Sequence, residues 1–377
     1  MKTRHSAFLI LAIALLPSTA SANAGTPLMW ASMLHLVFGN AIIGFIEGFL
    51  LSCIFKCPSR RSILTLIAAN YVSAWMGGFL LTGGLIPLPD ITIENIQFWF
   101  CAFVGIAFLV TILIEFSFFC FVLRLQGRIF FRAAKATALV NAISYSLLFA
   151  WYWMASGTSM MTQLQVVSPS SLIQGDDYAL YFISPDGTQI LQTDLNGNHR
   201  SVLKNVVATN RDDRLFSRRN AQTGYDLFVH LQSKNRENER EDLIATNFSS
   251  DAPVEWRMSK GHSEKASGTW FNFGQVPSLA SKSDWEFNTG FWAIDGISGD
   301  NKKKKISVHF SLETPFASWI ARNATQLEGD SIIFQLGENQ ICILHPESSR
   351  IALITRGKGP IVAKLKKVNK AGLDKPH

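Results

Sequence analysis

The sequence predicts a four-helix transmembrane bundle, built as two tandem helical hairpins, followed by an all-β soluble domain. Three observations predict it. Four apolar runs, at about 29–55, 62–86, 97–123 and 136–156, are each long enough to cross a hydrocarbon core of about 30 Å. Charge is unevenly spread: residues 1–160 hold 9 of the 35 Lys/Arg and 4 of the 28 Asp/Glu. After residue 160 the long apolar runs give way to short β-rich segments broken by turn residues.

In chain order, residues 1–24 (MKTRHSAFLILAIALLPSTASANA) have a basic start, a short apolar core and small residues at Ala22 and Ala24. This pattern predicts a signal peptide cleaved after Ala24, with an uncleaved signal anchor as the alternative. Residues 25–158 then form the expected transmembrane domain. The loops KCPSRR (56–61) and RLQGRIFFRAAK (124–135) are basic, whereas IPLPDITIEN (86–95) carries only acidic charge. By the positive-inside rule both basic loops face the cytoplasm. The C-terminal domain is then extracytoplasmic, and the chain is expected in a cell (inner) membrane with that domain in the periplasm.

The two hairpins repeat one pattern. Each runs Ile-Glu, apolar half-helix, basic loop, apolar half-helix, Asn-x-x-Ser. This matches Glu47 with Asn70 and Ser73, and Glu115 with Asn141 and Ser144. Each Glu lies nine residues before a basic residue (Lys56, Arg124) and each Asn nine after one (Arg61, Arg132). At 1.5 Å per residue, all four sit about 13 Å from the same face. A carboxyl group at that depth costs a few kcal/mol and must face the bundle. Two readings stand. In the structural one each Glu is protonated and hydrogen-bonds its Asn, locking a hairpin. In the functional one the two acids bind a cation or relay protons. Gly77-Gly78 and Gly83-Gly84 read as close-packing positions near the outer end of the second span.

Residues 159–176 read as a tether, 177–362 as the β domain and 363–377 as a basic tail. The clearest β unit is 178–205: strand, Pro-Asp-Gly turn, strand, Asn-Gly turn, strand. Leu180, Tyr181, Gly187, Ile190, Leu195, Asn196, Gly197, Arg200 and Leu203 match one blade of a YWTD-type or related β-propeller, which this stretch resembles. The Tyr-Trp-Thr-Asp quartet itself is absent, since the chain reads Tyr181-Phe-Ile-Ser184. The resemblance implies a β-propeller-like domain; a β-sandwich or incomplete propeller is the alternative. A second three-strand unit is expected at 330–360, with hairpins at 224–246 and 290–310.

No catalytic set is visible. His199, His230, His262, His309 and His345 are scattered, Cys342 is alone in its half, and no zinc or metalloprotease spacing occurs. No cofactor is expected, an enzyme is the third reading because no nucleophile, base or metal constellation is visible, and the even charge of residues 161–377 argues against nucleic acid. The lysine run 301–305 reads as a solvated hairpin tip, with contact to an anionic surface as the sharper alternative. Trp256, Trp270, Trp285, Trp292 and Trp319 read mostly as core. The expected partners are the lipid bilayer and a protein, peptide or glycan held by the outer domain. The function expected is thus a membrane-anchored binding, sensor or scaffold protein. A proton- or cation-coupled transporter using Glu47 and Glu115 is the alternative.

Overall fold

A computed structural model describes residues 34–82, 90–155, 164–173, 177–221, 224–232, 240–253, 274–280, 282–289, 296–310, 313–314 and 317–365. The expected signal peptide, Gly83-Gly84, Trp256, Trp270, Trp292, His262 and most of the basic tail lie outside these residues. The chain divides into two compact units, Met1–Thr158 and Ser159–His377.

The first unit is helical. A π-helical turn, His35–Gly39, leads into α1 (Asn40–Phe55); α2 (Ser59–Thr82), α3 (Ile96–Leu123) and α4 (Ile129–Ala155) follow. Lys56 ends α1 in the left-handed conformation (φ 54°), and Pro58 sets up the first turn of α2, where its carbonyl accepts from the Ser62 N–H (3.0 Å). Thr92 N–H donates to Asn95 Oδ1 (2.8 Å) just before α3. Among the described residues three stretches, His35–Phe55, Ile96–Leu123 and Ile129–Trp151, are long and apolar enough to cross a membrane. The second expected span, Ser59–Thr82, is helical but is not one of these three. α4 also begins seven residues before its expected span and takes in Arg132 and Lys135. Hydropathy marks the stretch that lipid tolerates; an Ala/Lys/Arg-rich flank is equally helical and lets its cations reach past the apolar layer.

The core of this unit draws on all four helices, from Leu51, Leu66, Ala69, Phe119, Leu123, Ala136 and Val140. Its outer surface is apolar as well. Phe38, Phe45, Leu64, Trp75, Phe98, Leu109, Leu113 and Phe131 are all exposed, while Glu47, Ser62, Asn70, Glu115, Thr137 and Asn141 are buried. This inverts the arrangement that water selects.

The second unit is mostly β, in several sheets. Lys358–Lys364, Tyr178–Ile183, Gln189–Asp194 and Ser201–Asn205 form one antiparallel sheet in that order. Arg214–Arg219, Tyr225–Leu231 and Arg240–Ser249 form a second. A third runs Ile306–Phe310, Ile297–Asn301, Trp285–Thr289, Gly274–Gln275. In the fourth, Ala321–Gln326, Ile332–Leu336, Gln340–His345 and Arg350–Arg356 are antiparallel neighbours. Gln165–Val166 adds to its edge in parallel, and Leu164 and Leu172 are buried. Part of the expected tether is therefore built into the β unit.

The strand YALYFI (178–183) explains its own position. Tyr178, Leu180 and Phe182 enter one core with Ile333, Ile341, Ile343 and Ile354. Ala179, Tyr181 and Ile183 enter another with Leu215, Leu227 and Val229. An uninterrupted apolar run is what a strand covered on both faces requires. Gly187 and Gly197 hold positive φ (74° and 82°) in the two turns of this sheet. A Cβ on Gly187 would meet the Ala208 carbonyl oxygen at 1.9 Å. The expected third strand of unit 330–360 ends at Arg356, and the next strand, Lys358–Lys364, joins the first sheet instead. Of the expected hairpin at 290–310, residues 290–295 lie outside the described ones; Ile297–Asn301 and Ile306–Phe310 pair. The lysine run forms the turn between them, and three of its four cations are engaged. Lys302 meets Glu286, Lys303 meets Asp284 (3.9 Å) and Lys304 meets Glu347 (2.5 Å).

Candidate functional site

The six residues singled out by the repeat all lie buried in the helical unit, none more than 8% exposed. α1 carries Glu47, α2 Asn70 and Ser73, α3 Glu115, and α4 Asn141 and Ser144. Asn70 Nδ2 donates to Glu47 Oε2 (2.5 Å), and Asn141 Nδ2 donates to Glu115 Oε2 (3.1 Å). Each Asn thus meets the acid of its own hairpin. The serines cross over. Ser73 Oγ lies 2.9 Å from Glu115 Oε1, and Ser144 lies near Glu47. The carboxyls are also close enough to interact electrostatically.

The helix backbone fixes these side chains in the same way twice. Asn70 Nδ2 also donates to the Leu66 carbonyl (3.0 Å), four residues back, and Asn141 Nδ2 to that of Thr137 (3.1 Å). Ser73 Oγ lies 3.1 Å from the Asn70 carbonyl, and Ser144 Oγ 3.1 Å from that of Asn141. A serine hydroxyl has one hydrogen. Its contacts to a carbonyl and to a carboxyl are both hydrogen bonds only when the carboxyl supplies the second hydrogen. With a proton on Glu115, every bond to it has its own hydrogen, and Ser73 stitches the first hairpin to the second. Asn141 Oδ1 is the exception, being buried without a hydrogen-bond partner.

Two glycines outside the repeat pattern bring α1 against α2. A Cβ on Gly44 would lie 2.5 Å from Ile67 Cα, and one on Gly48 2.4 Å from Ile63 Cα. Gly44-Phe-Ile-Glu-Gly48 is a G-x-x-x-G motif around the acid itself, a spacing that lets helix backbones touch in an apolar medium. Ile112 and Phe116 occupy the matching positions around Glu115. The second hairpin instead has Thr111 Oγ1 and Tyr145 Oη in contact at 2.8 Å.

Among the described residues of the β unit the histidines do not converge. His199 contacts Asp194 (3.0 Å), His230 lies 3.9 Å from Glu241 and His345 Nδ1 is 2.9 Å from Ser348 Oγ. Among the described residues no three His, Cys, Asp or Glu side chains gather as a metal site would need. Trp285 is buried in the sheet core, stacked on Phe287 at 5.4 Å, and Trp319 is half-buried. The sequence matches no protein-family model and no curated protein.

Proposed function

We propose that this chain is a multi-pass membrane protein whose four helices anchor a β-rich head, and that the head is the working part, binding a protein, peptide or glycan. The observation that carries this reading is the inverted helical unit, with acids, amides and hydroxyls turned inward and large apolar side chains turned outward. Such a surface suits hydrocarbon, where exposed polar groups are expensive. The two basic loops meet at one end of the unit. Gln126 Nε2 donates to the Phe55 carbonyl (2.9 Å) and Arg61 donates to the Phe121 carbonyl. Facing the cytoplasm, that end leaves the head outside an inner membrane. The head reads as propeller-like: the sheet at 178–205 has its faces against two other sheets, and its fourth strand comes from residues 358–364. A ring of blades closes in this way when one blade takes strands from both ends of the ring.

The test of this reading is topological. Alkaline phosphatase fused after His377 is expected to be active and a cytosol-dependent fluorescent protein at the same point dark. The reverse pattern would put the head inside the cell and end the reading.

A second reading, a proton- or cation-coupled transporter, is favoured by one atom. Asn141 Oδ1 is a spare buried acceptor on a side chain bonded to Glu115. Glutamine reproduces the neutral acid, accepting from Asn and donating to Ser, but it cannot lose a proton. The double variant Glu47→Gln/Glu115→Gln is expected to insert and to unfold within about 1 kcal/mol of the parent, since each hydrogen bond is replaced in kind. Thermal unfolding in micelles checks this. Collapse of the variant would show that the charged form is needed and would move the weight to transport.

A further inference from the structure

We propose that the outer groove between α2 and α3 is a binding site for an anionic phospholipid, one acyl chain lying in the groove and the phosphate between Arg61 and Arg124. The proposal rests on the membrane reading above and adds a specific ligand to it.

The groove has a volume of about 480 Å³ and is lined by Leu64, Thr65 and Ala68 of α2 and by Ser117, Phe118 and Phe121 of α3. Its walls are mostly apolar and its small residues leave room. Ser117 turns its hydroxyl back onto the Ile114 carbonyl (3.1 Å), which removes that polar atom from the groove. Helix periodicity extends the same stripe to two cations. Arg61 precedes Leu64 and Thr65 by three and four residues, and Arg124 follows Phe121 by three. Both arginines therefore continue the groove at the same end.

Phe121 holds them together. The Arg61 guanidinium lies 4.5 Å from the Phe121 ring centroid and that of Arg124 lies 4.9 Å from it. Arg61 also donates to the Phe121 carbonyl. Two cations thus share one ring, and among the described residues neither is in an ion pair with a carboxylate. Like charges gathered at the mouth of an apolar groove are complementary to a phosphate on a hydrocarbon chain. They also stand at the end of the unit that carries Lys56, Arg60, Arg128 and Arg132, where an anionic leaflet would lie. A diffusible anion would satisfy the arginines but leave the groove unfilled, so the phospholipid accounts for both halves of the site.

The test uses the full chain in nanodiscs with spin-labelled phosphatidylglycerol or phosphatidylcholine at equal mole fraction. A motion-restricted fraction larger for phosphatidylglycerol is expected. Arg61→Gln with Arg124→Gln should cut that preference roughly fivefold for each arginine removed. Arg61→Lys with Arg124→Lys should keep most of it. Ala68→Leu, which fills the groove without touching charge, should lower the restricted fraction at unchanged helical circular dichroism. Equal restriction of both lipids by the parent chain, or an undiminished preference in the double glutamine variant, would overturn the proposal. So would displacement of the label by inorganic phosphate alone, which would mark an anion site with no acyl site. Flotation with vesicles separates the two levels. A chain that does not float removes the membrane reading and this proposal with it; one that floats without lipid preference removes only the groove.

Discussion

Arg322→Ala should destabilise the β unit by about 3 kcal/mol, the low end of what breaking a buried ion pair costs. Arg322 Nη1 lies 2.8 Å from Asp212 Oδ1, and the two side chains are only 11% and 14% exposed. Burial pulls the guanidinium below the ordinary arginine value and Asp212 opposes that pull. The pair joins the strand Ala321–Gln326 to the segment just before Arg214–Arg219, so it crosses between two sheets. Removing the arginine leaves the Asp212 carboxylate with little solvent and, as its remaining cation, only the exposed Arg211 at 3.8 Å. Removing both partners, as in Asp212→Leu/Arg322→Leu, should recover much of the loss, because no uncompensated charge remains. For a unit of this size the single variant should drop the unfolding midpoint by roughly 6–12 °C. Calorimetry of the parent, single and double variants checks this. A shift below about 2 °C for Arg322→Ala would mean that Asp212 finds water or another donor.

Gly48→Val should have an effect of similar size on the helical unit. The new Cβ would be placed 2.4 Å from Ile63 Cα, which is backbone and cannot rotate aside. α1 and α2 must move apart, and overpacking of this kind costs about 3 kcal/mol at the upper end of its usual range. The separation would also draw Glu47 away from Asn70, and the network would lose its shortest bond. Gly105→Val on α3 is the matched control, because a Cβ there meets nothing within 4 Å. Unfolding in micelles followed by helical circular dichroism should separate the two variants. Equal midpoints would show that α1 and α2 tolerate a wider gap than their contact implies.

What the sequence makes legible follows the range of the interaction. The Ile-Glu to Asn-x-x-Ser repeat aligns each acid with the amide of its own hairpin, because a hairpin's two helices are antiparallel neighbours and counting from the turn sets their register. The crossed serines were not legible. Ser73 meets Glu115, and Ser144 comes near Glu47, only through the way one hairpin docks on the other, and no spacing within a hairpin encodes that. Gly44 and Gly48 are legible from their spacing of four, which places both on one face of α1. In the β unit, alternating contacts make YALYFI readable as a strand. The partner of that strand is not, since Lys358–Lys364 follows Arg350–Arg356 in sequence and pairs elsewhere. The ion pairs of the lysine run were hidden for the same reason: Glu347 and Asp284 are distant in sequence and near only in the fold.

The pairing of Tyr178–Ile183 with Lys358–Lys364 has a consequence for biogenesis. A ribosome delivers the earlier partner long before the later one. Through that interval a wholly apolar strand stands with one backbone edge unpaired, a segment apt to stick to its copies. Nascent chains stalled short of residue 358 should therefore be the most aggregation-prone species this protein produces, and a holding chaperone would find its best grip on them.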